Sequence, residues 1–524
     1  MASPTLSQRR RPLTPLKRPL RSRPPLPAEV TCPRARGRRI ASNVAYLSLA
    51  ELFCRACSVF VTLALMKRLG GSGYGRVEFA FSVVFWLVLL VRDSSDVMVA
   101  RELSRHPRLI RPLVDHVLAF KTFLAVTLFS VLTLVGWFTL KDRSDWSILT
   151  LYGLMLFTTA IGLDFVYRGT ERMGLLAVSL CLRTIFYGAG VLAFVGDASR
   201  ITWVPIFLTV GEAGGIGLIW LSYLRTYRMP RPRFSFRFIS ILVQRGKIVC
   251  AIQLSQALII AADVLVVGMM SLSTWGDVGR YGAQYRMVTI ILTFGMIVQH
   301  ATFPTLARLW RHHPDAGRDA LDSLVEALMT TLTPLAVGVT LLAEPLVGLL
   351  GSSDYDGAGL LLAVGIWRAP LLNVAFCYQT TLIALNRETV GVGSLIVAAI
   401  GIGPLVYLMR TQFGLVGATA AVLIVALALV IAGFHSLARE GRQPAWHHHL
   451  GRPLFASLAM APVCLFLVQW HVVLAVFGGA ATYLLVLLAT GGLDRTRHWR
   501  AAFHPIESPA PSPARAEVSP GSKM

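Results

Sequence analysis

Residues 247–309 decide the fold, and they read KIVCAIQLSQALIIAADVLVVGMMSLSTWGDVGRYGAQYRMVTIILTFGMIVQHATFPTLARL. The segment 247–270 is apolar and long enough to cross a bilayer as a helix, and a single acid, Asp263, interrupts it. A short turn, 271–277, leads into the glycine- and tyrosine-rich run 278–286, which opens a second apolar segment. An ionisable side chain inside a spanning helix is costly, so it marks a functional position. The stretch predicts two membrane helices with functional residues inside them.

The composition of the whole chain agrees with this interpretation. Hydrophobic residues make up 55% of the sequence and charged residues 15%, with a mean hydropathy of +0.62. Soluble domains carry about 25% charged residues, so the chain is expected to be an all-α polytopic membrane protein. About fourteen apolar stretches reach spanning length, which leaves no room for a large soluble domain. They are 42–66, 77–92, 116–139, 147–167, 174–196, 203–224, 247–270, 285–303, 322–350, 358–386, 391–409, 417–438, 453–472 and 473–491.

The spans group into two six-helix halves followed by two extra helices. A shift of about 205 residues lays the run GYGR at 73–76 near GRYG at 279–282, and each run opens the second helix of its half. Duplicated six-helix halves are typical of secondary transporters that bind their substrate between the halves. The second span is short, and its helix is expected to continue through Asp93 and Asp96. The predicted organisation begins with a disordered basic tail at 1–41, an N-lobe at 42–224 and a basic interfacial linker at 225–246. A C-lobe at 247–438, a cytoplasmic loop with the last two spans at 439–491 and a disordered tail at 492–524 follow.

Lysine and arginine residues divide unevenly between the two sides of this arrangement. With the N-terminus inside, the loops and tails on that side carry about 37 of the 50 basic residues, and the opposite side carries about 9. Since short cytoplasmic loops are enriched in Lys and Arg, both termini are expected to be cytoplasmic. The net charge of +23 lies in tails and alternate loops rather than on a soluble domain, so nucleic acid is excluded as a partner.

The sequence favours neither a disulfide framework nor a metal site. Six of the seven cysteines lie in apolar spans, where they pack as small apolar residues. Cys54 and Cys57 have CxxC spacing, but the middle of a membrane helix is a poor place for zinc or redox chemistry. The His447–His449 cluster stands in a predicted cytoplasmic loop with no carboxylate or cysteine beside it. We expect no metal and no cofactor.

Five motifs follow one another in order along the chain. They are SNVAYL leading to LGGSGYG at 42–75, DFVYRGTERM at 164–173, the stretch from Asp263 to Leu309, LLGSSDY at 349–355 and FGLVGA at 413–418. On a fourteen-span chain, these motifs resemble the polysaccharide-transporter, or oligosaccharide flippase, family of the multidrug/oligosaccharidyl-lipid/polysaccharide exporter superfamily. The resemblance covers roughly residues 42 to 438.

The resemblance implies a transporter and not an enzyme. A protein of this family is expected to move polyprenyl-pyrophosphate-linked oligosaccharide across the bacterial inner membrane by alternating access, for the synthesis of cell-surface polysaccharide. The implied partners are the lipid-linked oligosaccharide, membrane lipids, and a polysaccharide polymerase with its export machinery. By resemblance to the peptidoglycan-precursor flippase branch, the last two spans are expected to form a groove for the polyprenyl tail.

Four basic residues lie within predicted spans: Arg55, Lys121, Arg183 and Arg368. A charged side chain deep in a membrane helix costs roughly 3 kcal/mol or more, so each should face a wet cavity or a partner. Guanidinium groups bind phosphate oxygens through a planar fork of donors. We therefore predict that these four residues bind the pyrophosphate of the substrate in a central cavity.

Four acids, Glu51, Asp164, Glu212 and Asp263, are candidates for ion coupling, because buried carboxylates can exchange protons or sodium as access alternates. Internal pairing is the alternative. Glu51 and Arg55 are four residues apart on one helix face, and the other three acids are able to pair with Arg183 or Arg368 between helices. The sequence leaves both interpretations open.

Three other functions stay open at this point. A cation-coupled multidrug antiporter of the same superfamily would carry acids and aromatic side chains rather than several arginines, and a peptidoglycan-precursor flippase would share the two extra helices. A membrane polysaccharide polymerase would need a sizeable outward loop or an acidic site, and the sequence shows neither. A scaffold without transport activity would not explain ionisable residues at the middle of the membrane.

Overall fold

The computed structural model describes residues 33–491 except 94, 273, 351–352, 386 and 442–445. The predicted terminal tails fall wholly or largely outside this range, and so do the side chains of the His447–His449 cluster. Within the described residues, all regular secondary structure is helical, which confirms the all-α prediction. Ten helical stretches are long and apolar enough to cross a membrane, and two of these are so long that each holds two predicted spans.

Eight α-helices make up the first half of the described chain. They are α1 (Pro33–Asp93), α2 (Asp96–Arg105), α3 (Ile110–Thr139), α4 (Arg143–Gly153), α5 (Met155–Ile161), α6 (Asp164–Gly169), α7 (Met173–Phe194) and α8 (Trp203–Thr226). Short 3-10 turns at Pro107–Leu109 and Ala198–Arg200 connect some of them. The fourth predicted span is therefore built from three consecutive short helices, α4 to α6.

Helix α1 holds the first two predicted spans, and a break at Gly70 separates them. Gly70 has φ 68° and ψ 177°, a left-handed backbone conformation that glycine adopts without the Cβ clash other residues meet. The second segment of α1 ends at Asp93 and a new helix begins at Asp96, so the expectation of one helix through both aspartates is wrong. An aspartate in the first turn of α2 is favoured by the positive end of the helix dipole.

Nine helices make up the second half of the described residues. They are α9 (Phe236–Met270), α10 (Trp275–His312), α11 (Pro314–Leu341), α12 (Ala343–Gly348), α13 (Ala358–Gly365), α14 (Arg368–Ala384), α15 (Glu388–Arg439), α16 (Trp446–Leu467) and α17 (Val472–Ala489). A 3-10 turn at Ser353–Tyr355 lies between α12 and α13. Like α1, helix α15 holds two predicted spans, separated by a break at Gly414 with φ 62°.

Helix α10 begins ten residues before the apolar span that the sequence predicts at 285–303. Residues 275–277, expected as the end of a turn, are helical, and so is the run GRYG at 279–282. The hydropathy pattern placed the start too late because the first turns of α10 carry glycines and charges. This correction moves Arg286 from the edge of a span to a position three turns inside a helix.

The helices pack in neighbouring pairs around a shared apolar core. Helix α7 packs on α8, α15 packs on both α9 and α14, and the α16–α17 pair packs against α11. One buried apolar cluster extends from Val61 and Val84 in the first half to Ile259, Val288 and Leu372 in the second. The two halves are therefore in direct contact, and the charged residues described below lie within or beside this core.

Candidate functional site

The second segment of α1 and the first turns of α10 cross at a point where only glycine fits. A Cβ at Gly75 would collide with the carbonyl oxygen of Trp275, and a Cβ at Gly279 would collide with that of Gly71. The two contacts are reciprocal, since Gly71 and Trp275 are 204 residues apart, as are Gly75 and Gly279. Small residues let helix backbones approach closely in membranes. We call this end of the bundle the crossing end.

A charge pair joins the two halves one to two turns from this crossing. Arg286 Nε of α10 donates to Glu78 Oε2 of α1 at 3.0 Å, and the hydroxyl of Tyr74 donates to the same oxygen at 3.1 Å. Glu78 is buried, whereas Arg286 keeps 31% of its side chain exposed and lies over the ring of Phe81. Because Gly282 has no Cβ, the Glu78 side chain occupies the space beside it. Arg286 is thus neutralised on one side and open on the other.

Arg55 approaches the same region from the first segment of α1. Its side chain is exposed, and it lies close enough to Glu51, Tyr285 and Arg286 to interact with them electrostatically. Two guanidinium groups from different halves of the chain are therefore close enough to repel each other. Because like charges repel, an anion placed between Arg55 and Arg286 would relieve an unfavourable interaction and gain two sets of hydrogen-bond donors.

Arg183 holds together a three-residue network in the first half. Its Nη2 donates to Asp164 Oδ1 at 3.0 Å and its Nη1 donates to Glu212 Oε2 at 3.0 Å, so α6, α7 and α8 meet at this side chain. Gly211 and Gly215 allow α8 to lie against the backbone of α7 at the level of Arg183. The pairing that the sequence left open for this arginine is present.

Lys121 is also paired. Its Nζ donates to Asp96 Oδ1 at 2.7 Å, and both side chains are buried. The ammonium group also lies 5.5 Å from the ring centroid of Phe165. Lys121 is therefore held by an acid in the first turn of α2.

Arg368 and Asp263 form a fully buried pair in the second half. Arg368 Nη1 donates to Asp263 Oδ2 at 2.7 Å, and the hydroxyl of Tyr281 donates to the same oxygen at 2.7 Å. The side chains of Arg368 and Asp263 are 2% and 0% exposed. The Arg368 guanidinium also lies over the ring of Tyr285. Asp263, the acid that interrupts the key sequence stretch, is thus matched by a charge 105 residues further on.

Seven of the eight predicted residues consequently fall into three groups rather than into one positive cavity, and Lys121 lies apart from these groups. Arg183, Asp164 and Glu212 are together, Arg368 and Asp263 are together, and Glu51 and Arg55 share a helix face. Lys121 pairs with an acid outside the predicted set. Their roles in binding and coupling stay predictions, but the geometry leaves Arg55 as the exposed cation among them.

Sequence reasoning missed Glu78, Arg286 and Asp96. Arg286 was quoted as the end of the glycine- and tyrosine-rich run, yet the late start assigned to its span hid its depth in α10. Glu78 is the only acid between 77 and 92, and that isolation was a usable signal. Among the described residues, no three His, Cys, Asp or Glu side chains are grouped as a metal site.

A cavity of about 620 Å³ lies between α11 and the α16–α17 pair. Its walls are mostly apolar, with Leu335, Val339, Val476 and Leu484 among the residues that line it. The hydroxyl of Tyr483 donates to the carbonyl oxygen of Thr330 at 2.6 Å and ties α17 to α11. This volume lies in the range of ligand-binding cavities, about 300–1,000 Å³.

A family model described as polysaccharide biosynthesis protein matches residues 40–310. No curated protein sequence matches the chain significantly. Among solved structures, lipid II flippase MurJ in an inward closed conformation is similar, with a TM-score of 0.68 and 13% identity over 86% of this chain and 99% of the other.

Multidrug transporters of the MATE family are similar as well. An inward-facing MATE transporter of the MOP superfamily has a TM-score of 0.61 and 12% identity, over 74% of this chain and 94% of the other. The MATE multidrug transporter DinF-BH has a TM-score of 0.55 and 16% identity, over 78% of this chain and 97% of the other. At these identities the similarity establishes the fold, a polytopic fold shared by MurJ and MATE proteins.

Proposed function

This chain belongs to the polysaccharide biosynthesis protein family, and from that membership we propose that it is a flippase for polyprenyl-pyrophosphate-linked oligosaccharide in the bacterial inner membrane. It would carry its substrate by alternating access for the assembly of cell-surface polysaccharide. The loop charges support termini on the cytoplasmic side, which places the crossing end outside. A polysaccharide polymerase would receive the delivered substrate.

The observation that carries this proposal is the approach of Arg55 and Arg286 from different halves of the chain. A pyrophosphate carries several negatively charged oxygens, and each guanidinium offers a planar fork of donors that matches them. Glu78 holds Arg286 at 3.0 Å, which balances the charge of a guanidinium inside the membrane. Substrate binding would add an anion on the exposed side of Arg286.

The paired cations have a different role in this proposal. Arg183, Arg368 and Lys121 each contact a carboxylate at 3.0 Å or less, so they would bind substrate oxygens only in a conformation that opens those pairs. Among the candidate coupling acids, Asp164 and Glu212 retain about a quarter of their side chains exposed, whereas Asp263 is fully buried. A proton or sodium ion would therefore reach the Arg183 network more readily.

The apolar cavity between α11, α16 and α17 supports a lipid-linked substrate. A polyprenyl tail needs a hydrocarbon-like surface beside the path of its polar head, and the mostly apolar lining of this cavity supplies one. Glu326 and Ser323 also belong to the lining, and they offer polar contact near the start of α11. A peptidoglycan precursor has the same polyprenyl chemistry, so this cavity serves that alternative equally.

The multidrug antiporter is the second candidate, and the shared fold supports it. The matched MATE structures are covered over 94% and 97% of their own length, but they account for only 74% and 78% of this chain. The flippase structure accounts for 86% of it. The guanidinium groups of Arg55 and Arg286 favour an anionic lipid-linked substrate.

The test is a flipping assay in proteoliposomes that hold the purified full chain and a fluorescent polyprenyl-pyrophosphate oligosaccharide. Arg55→Ala and Arg286→Ala should each lower the flipping rate at least tenfold, and Arg286→Lys should restore it only in part because an ammonium lacks the fork. Arg200→Ala, a change of an exposed arginine between α7 and α8, serves as the control. Wild-type rates in both alanine variants, or efflux of a cationic dye without lipid flipping, would refute the proposal.

A further inference from the structure

The break at Gly70 leaves backbone groups of α1 without partners in their own helix. In a continuous helix the N–H of residue 71 donates to the carbonyl of residue 67, and the N–H of residue 72 to that of residue 68. The left-handed backbone of Gly70 interrupts this ladder. The end of the first segment therefore exposes carbonyl oxygens, and the start of the second exposes N–H groups, at the crossing end.

Two consecutive residues of the distant 3-10 turn satisfy one group on each side of the break. The hydroxyl of Tyr355 donates to the carbonyl oxygen of Met66 at 3.1 Å, and Asp354 Oδ2 accepts the N–H of Gly71 at 2.9 Å. These residues are 289 and 283 positions away along the chain. Tyr355 thus acts as a C-cap for the first segment, and Asp354 acts as an N-cap for the second.

The turn that supplies both caps is held by its own half of the chain. Arg280 Nε of α10 donates to the carbonyl oxygen of Asp354 at 3.2 Å, and Arg280 Nη1 contacts Asp277 Oδ1 at 3.4 Å. Tyr355 is fully buried. A Cβ at Gly71 would lie 2.9 Å from the Asp354 Cβ, so the close approach depends on the glycine.

The equivalent position in the other half is built differently. Arg76, which is 204 residues before Arg280, pairs with Asp145 at 3.5 Å and with Asp142 at 3.6 Å within its own half. Thr274, which precedes α10, has φ −130°, and no described residue at the start of this helix is left-handed. The double cap is therefore a one-sided device that the second half applies to the first.

We propose that Asp354 and Tyr355 form a latch that holds the crossing end closed. This inference rests on the proposed function only in that alternating access requires the halves to separate at this end. Separation breaks both hydrogen bonds together, and entering water then solvates the freed backbone groups of Met66 and Gly71. The latch favours the closed state without preventing opening, because water forms hydrogen bonds with the Met66 carbonyl and the Gly71 N–H once the halves separate.

The test measures separation directly by pulsed electron spin resonance, on the full chain in nanodiscs without substrate. Spin labels go on exposed residues at the crossing end, through Lys141→Cys and Gln412→Cys in a background where the seven native cysteines are replaced. Tyr355→Phe removes only the hydroxyl, and Asp354→Ala removes the acceptor of the Gly71 N–H. Asp356→Ala, an exposed neighbour in the same loop, is the matched control.

Both latch variants should raise the population of the long label distance, relative to that of the short one, by about tenfold. The control should leave the two populations unchanged. Tyr355→Phe keeps the buried ring, so it stays informative if Asp354→Ala fails to fold. Distance distributions in Tyr355→Phe that match the control would overturn the latch. The distance measurement needs no substrate, so a chain that fails to flip lipid-linked oligosaccharide still tests the latch.

Discussion

The buried pair of Arg368 and Asp263 offers a test of whether mid-membrane charges serve structure or transport. Replacing one member of a buried ion pair leaves an uncompensated charge, which costs about 3–5 kcal/mol. We expect Arg368→Met to fall at the lower end of that range. The hydroxyl of Tyr281 still donates to Asp263 Oδ2 at 2.7 Å, and this hydrogen bond compensates part of the loss.

The double variant separates the effect of the lost charges on stability from the effect of changed side-chain volume. Asp263→Asn combined with Arg368→Met removes both charges and keeps similar side-chain volume, so it should recover most of the stability lost in the single variant. Thermal unfolding of the purified chain in detergent measures this, with each variant compared at equal lipid content. Equal loss of stability in the single and the double variant would refute the charge argument. If the double variant also flips lipid at the wild-type rate, the pair serves structure alone.

Two further predictions use controls that the chain provides. Gly279→Val should destabilise the crossing and reduce transport strongly, because its side chain would collide with the carbonyl oxygen of Gly71. Gly276→Val in the same helix meets open space, so it should behave as wild type in the flipping assay. Ala480→Trp should fill the cavity between α11 and α17 and raise the KM for a substrate with a long polyprenyl tail, while Ala481→Trp, at a neighbouring exposed position outside that lining, should leave it unchanged. Kinetics that do not differ between the paired variants would contradict either prediction.

Sequence patterns anticipated the helices well and the partners of the charges only in part. Hydropathy predicted long apolar helices, and ten such stretches lie in the described part of the chain, because every backbone group in a bilayer must be satisfied within its own helix. The same pattern misjudged the start of α10, since glycines and charges there look like a loop. For this reason Arg286 was left out of the candidate site. Asp96 was expected inside a continuing helix, but its pairing with Lys121 accompanies a helix start instead.

The sequence alone determined that this is an all-α membrane protein and which apolar stretches hold an ionisable residue. Those properties depend on runs of neighbouring residues, and the bilayer acts on each run separately. Only the tertiary structure decided that Arg286 meets Glu78 across 208 positions, and that Asp354 and Tyr355 cap the break at Gly70. Such contacts depend on the distance and rotation between packed helices, which no local pattern specifies. The candidate site is therefore a product of packing.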